Sequence, residues 1–396
     1  MIGNNPSMEQ VNWTRIQRRA LIVSSVGIGA CAIGAAFSPE HFFRSYLVAW
    51  NFWLGIALGS LVLLMIQYLT GGAWGLLLRR ILEASSGTLP LLAILFLPLV
   101  AAGLPMLYVW TEPQVVADSP ELAHKAAYLN PEAFEIRAAI YLGLWSLLAF
   151  LLNRWSSQQD RVGLAIDLSR RSSTLSGPGL ALCGVTITFA SIDWIMSLEP
   201  RWFSTIFPPL YGAGQVLSGM AFSVAVAMLL ADYLPLAGVI HSQQRRDLGN
   251  LLLAFIMVWA YLSFSQFLII WAENLPEEIP WYLHRIQGGW QWIAIALVLF
   301  QFAAPFLLLL LRDVKENSLR LVGIALLALA MRFVDLYWWV EAAFPGGMSF
   351  YWLLDLAALA ALGGIWMWLF IWQLKRQSLL PTSDPYLAEY LPEVAP

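Results

Sequence analysis

Ten separate windows of about 20 apolar residues run through this chain, each long enough to cross roughly 30 Å of hydrocarbon, and they fix its class before any motif is read. They cover roughly 20–37, 46–69, 88–110, 136–152, 178–197, 210–231, 249–271, 288–311, 319–340 and 350–373. Backbone polar groups in lipid must be satisfied within each crossing segment, so the windows predict helices. Composition agrees, since 59% of the 396 residues are hydrophobic and only 12% are charged, a balance outside the range of water-soluble chains. The expected fold is an all-α polytopic membrane protein. Residues 1–19 form an N-terminal segment, 20–374 the membrane domain and 375–396 a C-terminal tail.

Lys and Arg counts give the orientation, because basic loops stay on the cytoplasmic side. The N-terminus and every second connection hold sixteen of the 22 basic residues, while the opposite connections hold four: Arg44, Lys125, Arg201 and Arg285. Both termini are therefore predicted cytoplasmic. The opposite connections also carry eleven carboxylates, a surface suited to a cationic partner or simply to solvent. The first span follows a basic stretch and resembles a secretory signal, but it is read as a retained helix.

Cofactor chemistry has few donors. Cys31 and Cys183 stand alone in separate apolar windows, with no CxxC or CxxCH, so iron-sulfur and c-type haem ligation lack residues and the two read as buried thiols. His41, His124, His241 and His284 lie in connections or at span ends, where they do not suit a haem held inside a bundle. There is no P-loop, no GxGxxG, no nucleophile elbow and no zinc spacing. No metal, no cofactor and no nucleic-acid partner are expected for the chain itself.

Ionisable residues inside the spans remain, and charge there is costly enough to mark function. Asp193, Asp335 and Asp355 all fall in the outer third of their spans. Arg332 precedes Asp335 by one helical turn and can pair with it, which is the bland structural reading. Asp193 and Asp355 have no basic partner within a turn, so they, with Glu199 and with Asp335 and Arg332 in the functional reading of that pair, are candidates for an outer proton passage. Asp193-Trp194 in span five parallels Asp335 and Trp338 in span nine, while Arg137 and Arg285 open spans four and eight. That offset of four spans predicts two parallel four-helix bundles, spans 2–5 and 6–9, flanked by spans 1 and 10. Gly55 and Gly59, four apart, allow close helix packing. Trp50, Trp110, Trp271, Trp281 and Tyr282 read as an interfacial aromatic belt.

Four long stretches carry a resemblance: "FASIDWIMSLEPRWFSTIF" (189–207), "ENLPEEIPWYLHRIQGGW" (273–290), "MRFVDLYWWV" (331–340) and "LVAWNFWLGIALGSLVLLMIQYLTGGAWGLLLRRILEA" (47–84). Together, and on to "DPYLAEYL" (384–391), the chain resembles the F subunit of alternative complex III, similar in turn to polysulfide-reductase-type (NrfD-like) membrane subunits. The resemblance implies ten helices, two four-helix bundles and no prosthetic group in this chain. It implies a non-catalytic place in a quinol:electron-acceptor oxidoreductase of the bacterial inner (cytoplasmic) membrane. Haem c, iron-sulfur clusters and menaquinol would then belong to partners: a multihaem cytochrome c, an iron-sulfur subunit, an NrfD-like C subunit and small membrane subunits. Structural support, with proton movement coupled to electron flow in neighbours, is the implied role.

The stretch from Glu273 to Trp290 lies on the predicted outer side. Pro276 and Pro280 are expected to end the seventh helix, and Gly288 and Gly289 to allow close packing at the start of the eighth. Glu273, Glu277, Glu278, His284 and Arg285 then form a docking surface, cap helices or release protons. The connection from Thr111 to Glu135, with a helix start at Ser119-Pro120-Glu121, is a second docking candidate. The Ser- and Arg-rich segment from Asn153 to Gly177 reads as an inner linker near lipid headgroups. Two other classes stay open: a free-standing secondary transporter and a subunit that binds quinol in its own right.

Overall fold

The computed structural model describes residues 11–163, 166–345 and 351–390, so the residues at both termini and the start of the tenth predicted span lie outside the described residues. Among the described residues the regular structure is entirely helical. Ten helices carry the fold: α1 (Trp13–Phe37), α2 (Pro39–Thr70), α3 (Ala73–Leu107, with internal breaks), α4 (Pro131–Val162), α5 (Ile166–Trp194), α6 (Phe207–Leu229), α7 (Ser242–Glu273), α8 (Trp290–Leu310), α9 (Ser318–Glu341) and α10 (Trp352–Leu374). Nine are long and apolar enough to cross a membrane, and α9, at 24 residues, stands among them as the tenth.

Packing resolves these helices into two closed rings. In the first, α2 touches α3 and α5, and α4 closes against both α3 and α5; in the second, α6 touches α7 and α9, and α8 closes against both. These are the two expected four-helix bundles. Helices α1 and α10 pair with each other and lie against α2. Their backbones interlock through small residues: a Cβ on Gly27 would stand 2.6 Å from the Ala361 nitrogen, and one on Gly364 2.3 Å from the Ala20 carbonyl. Ser24 donates to the Ala361 carbonyl at 2.7 Å, so α1 is an integral part of the domain.

The two bundles meet where α2 crosses α6. A Cβ on Gly59 would lie 1.9 Å from the Gln215 carbonyl oxygen, and one on Gly219 2.6 Å from the Gly59 carbonyl carbon. Only glycine permits backbones this close. Helix α2 is consequently the hub, with 89% of its apolar window buried. Cys31 and Cys183 are buried thiols without a disulfide, as expected.

Several connections differ from the sequence reading. The segment from Asn153 to Gly177 is helical nearly throughout, because α4 continues to Val162 and α5 begins at Ile166. An apolar window measures only the hydrocarbon crossing, and nothing before Gly163, at φ 88°, stops the helix. Pro280 opens a short helix, Ile279–Arg285, and α7 instead ends at Asn274 in the left-handed conformation. Gly288 (φ 61°) and Gly289 (φ 100°) serve the turn into α8, at positive φ values that glycine adopts with little steric cost. The Thr111–Glu135 connection does contain the expected helix, Pro120–Lys125.

Arg79 and Arg80, two of the sixteen basic residues counted in connections, are not in a loop. They lie in the helical first part of α3, Ala73–Ser86, 1% and 2% exposed. Arg79 pairs with Glu83 at 3.2 Å and with Asp384 of the C-terminal tail. Arg80 bonds Glu83 at 2.8 Å and both Asp160 oxygens at 2.6 and 2.7 Å. The tail is thereby fastened over the basic end of the bundles. The aromatic belt is also only partial: Trp271 is exposed, whereas Trp50, Trp110 and Trp281 are buried. Trp50 packs against Phe96 and Trp194 and donates to the Leu92 carbonyl at 2.9 Å, since a buried indole needs an acceptor.

Candidate functional site

The end of the bundles opposite the arginine cluster is acidic, and the charged candidates gather there in four places. The first joins α4 to α5. Arg137 stands near the start of α4 and Asp193 at the penultimate position of α5, so the antiparallel helices bring them level. Arg137 grips Asp193 in a fork, Nε to Oδ2 at 2.9 Å and a terminal nitrogen to Oδ1 at 2.8 Å. Tyr141, one turn along from Arg137, donates to Asp193 at 3.0 Å, and the guanidinium lies 3.8 Å above the Tyr128 ring. Asp193 is therefore paired and fully engaged, contrary to the sequence reading. The partner comes from the neighbouring helix, which a search within one helical turn cannot see.

In the second place, Arg332 and Asp335 pair along α9 as expected, 0% and 2% exposed. Trp259 of α7 donates its indole N–H to Asp335 at 3.0 Å. The Arg332 guanidinium fills the space left by Gly214, where a Cβ would stand 2.2 Å from a terminal nitrogen. Its Nε and that terminal nitrogen find no acceptor, and the adjacent Gln215 amide is also unpaired. Buried polar groups of this kind are the usual seats of internal water.

The third place was assembled by three distant stretches of sequence. Arg285, 1% exposed, pairs with Glu199 at 2.7 Å, and His284 approaches the same carboxylate at 3.4 Å. Arg285 also donates to the carbonyls of Trp281 and Trp339, at 3.0 and 2.9 Å. Trp202 stacks on Trp281, with centroids 4.8 Å apart, and Trp281 meets Trp338 edge to face at 5.6 Å. Glu199, His284 and Arg285 thus form one unit. Glu273 closes α7, and Glu277 and Glu278 lie on the turn that follows, the first two exposed and Glu278 half-buried. There partial desolvation, followed by the charges of Glu273 and Glu277, raises the Glu278 carboxyl above its ordinary range.

The fourth place holds Asp355, the fourth residue of α10, buried at 3% exposure with Oδ1 lacking any hydrogen-bond partner. Ser45 of α2 lies beside it, also without a partner for its hydroxyl. Glu341, the last residue of α9, is 7% exposed and within electrostatic reach of both Asp355 and Arg44. Arg44 packs 3.8 Å from the centre of the Phe344 ring. Sequence reasoning missed Glu341 and Arg44 because each sits near a helix end, where charge is ordinary; only the helix packing brings the half-buried Arg44 to the buried Glu341.

Asp335 and Arg285 do not repeat the pairing of Asp193 and Arg137. Asp335 takes its arginine from its own helix and Arg285 takes a loop carboxylate. The bundles agree in architecture but not in the wiring of their charges. Comparison with known proteins adds no family: no family model matches the chain, and no curated protein matches it.

Proposed function

We propose that this chain is a cofactor-free integral membrane subunit of an alternative-complex-III-type quinol:electron-acceptor oxidoreductase, with its acidic end on the periplasmic side of a bacterial inner membrane. The observation that carries the reading is the convergence at that end. Three of the four stretches that bear the family resemblance supply Glu199, Arg285 and Trp339, and Arg285 binds both of the others there. A resemblance spread over distant segments is more telling when those segments build one place. The two four-helix bundles with a flanking helix pair are the architecture that the resemblance implies.

The charges divide into two kinds of work. Asp193 and Asp335 are each committed to an arginine and a hydroxyl or indole donor, so they hold helices in register. Asp355, buried beside Glu341 with an oxygen unpaired, is the carboxyl best placed to take up and release a proton. The Glu273, Glu277, Glu278 turn and the 113–125 helices offer the surface on which extrinsic haem and iron-sulfur subunits would dock.

The test is gentle extraction through a tag on the C-terminal tail, followed by a haem spectrum and a menaquinol oxidation assay. The expected result is co-purification of haem c and iron-sulfur subunits with quinol-driven reduction of an acceptor. A colourless, inactive single chain would reject the assignment and favour a free-standing transporter. In the intact complex reconstituted in vesicles, Asp355→Asn is expected to leave quinol oxidation within about twofold while reducing proton release per electron. Unchanged proton release in that variant removes Asp355 from any proton path.

A further inference from the structure

We infer that the cleft between α4 and the end of α10, at the basic end of the bundles, is a binding site for the phosphodiester headgroup of an anionic phospholipid. The cleft measures 890 Å³ and is walled by α4, α10 and the C-terminal tail. Three arginines line it: Arg154 and Arg161 from α4, and Arg376 just beyond α10. All three are exposed, and among the described residues none has an ion pair or donates a hydrogen bond from its side chain. The two arginines buried nearby, Arg79 and Arg80, each have carboxylate partners. The two carboxylates lining the cleft, Glu83 and Asp160, are already bonded to Arg80 from behind. The cleft therefore presents positive charge that the protein itself does not compensate.

Its place at the ends of two spans and its aromatic residues point to lipid as the source of the anion. Phe150 stands one turn before Arg154, and Trp372 one turn before Arg376, so both walls repeat the same step from aromatic to guanidinium. Arg376 lies 3.2 Å from the centre of the Trp372 ring and Arg154 6.0 Å from that of Phe150. Phe150, 55% exposed, faces outward from the bundle. This order, an apolar ring on the span side and a basic group one turn nearer the helix end, is that of an inter-helix site for an acidic lipid.

The walls of the site are also tied to one another. Gln377 donates to Ser157 at 3.1 Å and accepts from Arg80 at 3.2 Å, while Gln159 donates to the Ser383 carbonyl at 3.3 Å. A headgroup would enter a formed pocket rather than order a loose one, which limits the entropic cost of binding.

The test uses the full purified chain, stripped of lipid in detergent, with its thermal unfolding midpoint read by intrinsic fluorescence. Phosphatidylglycerol, phosphatidylcholine and inorganic phosphate are added at equal concentration. Phosphatidylglycerol is expected to raise the midpoint by about 2 °C or more, with little effect from the other two. The triple variant R154Q/R161Q/R376Q is expected to lose that rise, and R320Q, altering an exposed arginine elsewhere at the basic end, to keep it. Equal rises with phosphatidylcholine, or retention of the full rise in the triple variant, overturn the site. A rise with inorganic phosphate alone overturns the lipid source. If the triple variant does not fold, R161Q and R376Q are compared singly, each expected to lose part of the rise; full rises in both overturn the site equally.

Discussion

Gly219→Leu is expected to abolish folding of the chain, with loss of the monodisperse peak in detergent size-exclusion chromatography. A Cβ there would lie 2.6 Å from both the Gly59 carbonyl carbon and the Ser60 nitrogen, which are backbone atoms of α2. No rotamer change relieves that clash, so α6 would have to move away from α2. Overpacking a well-filled core costs about 1–3 kcal/mol and more where the backbone must shift. Here the displacement would also separate the two bundles, since α2 and α6 form their seam. Gly143→Leu is the matched control, because nothing lies within 4 Å of a Cβ built at that position. If both variants give the same folded yield, the close crossing at Gly59 and Gly219 does not hold the bundles together.

That seam was partly legible in the sequence. Gly55 and Gly59 are spaced to share a helix face, but their partners on α6 are 156 to 163 residues away and follow no local pattern. The helices themselves were legible because lipid leaves the backbone one solution and apolar length measures it. Helix ends were not, since Asn153–Val162 and Ala73–Ser86 are polar enough to resemble loops while remaining helical and packed. The same limit governs the charges. Arg332 and Asp335 could be paired on paper because they share a helix face. Arg137 with Asp193, Glu199 with Arg285, and Glu341 with Asp355 depend on which helices are neighbours. Depth was recoverable from counting along each span; identity of the partner was not.

The pair on α9 gives the second large expected effect, and its pattern separates structural from functional roles. Arg332→Met alone leaves the Asp335 carboxylate buried with only the Trp259 indole as donor. Removing one member of a buried ion pair costs about 3–5 kcal/mol, since the survivor's charge is no longer compensated. Asp335→Leu alone strands a guanidinium that already has two nitrogens without acceptors, so a loss of similar size is expected. The double variant Arg332→Met with Asp335→Leu removes both charges, and replacement of a buried pair by apolar residues is often neutral. Its thermal midpoint is therefore expected to lie well above either single variant and near that of the unaltered chain. A double variant as unstable as the singles would show that Arg332 has a further partner, such as water shared with the unpaired Gln215 amide. Assayed within its complex, a stable double variant that still supports quinol oxidation and proton release identifies this pair as a helix tie. A stable double variant that loses proton release assigns the charge itself a functional role, and the candidate proton path then extends from Asp355 into the second bundle.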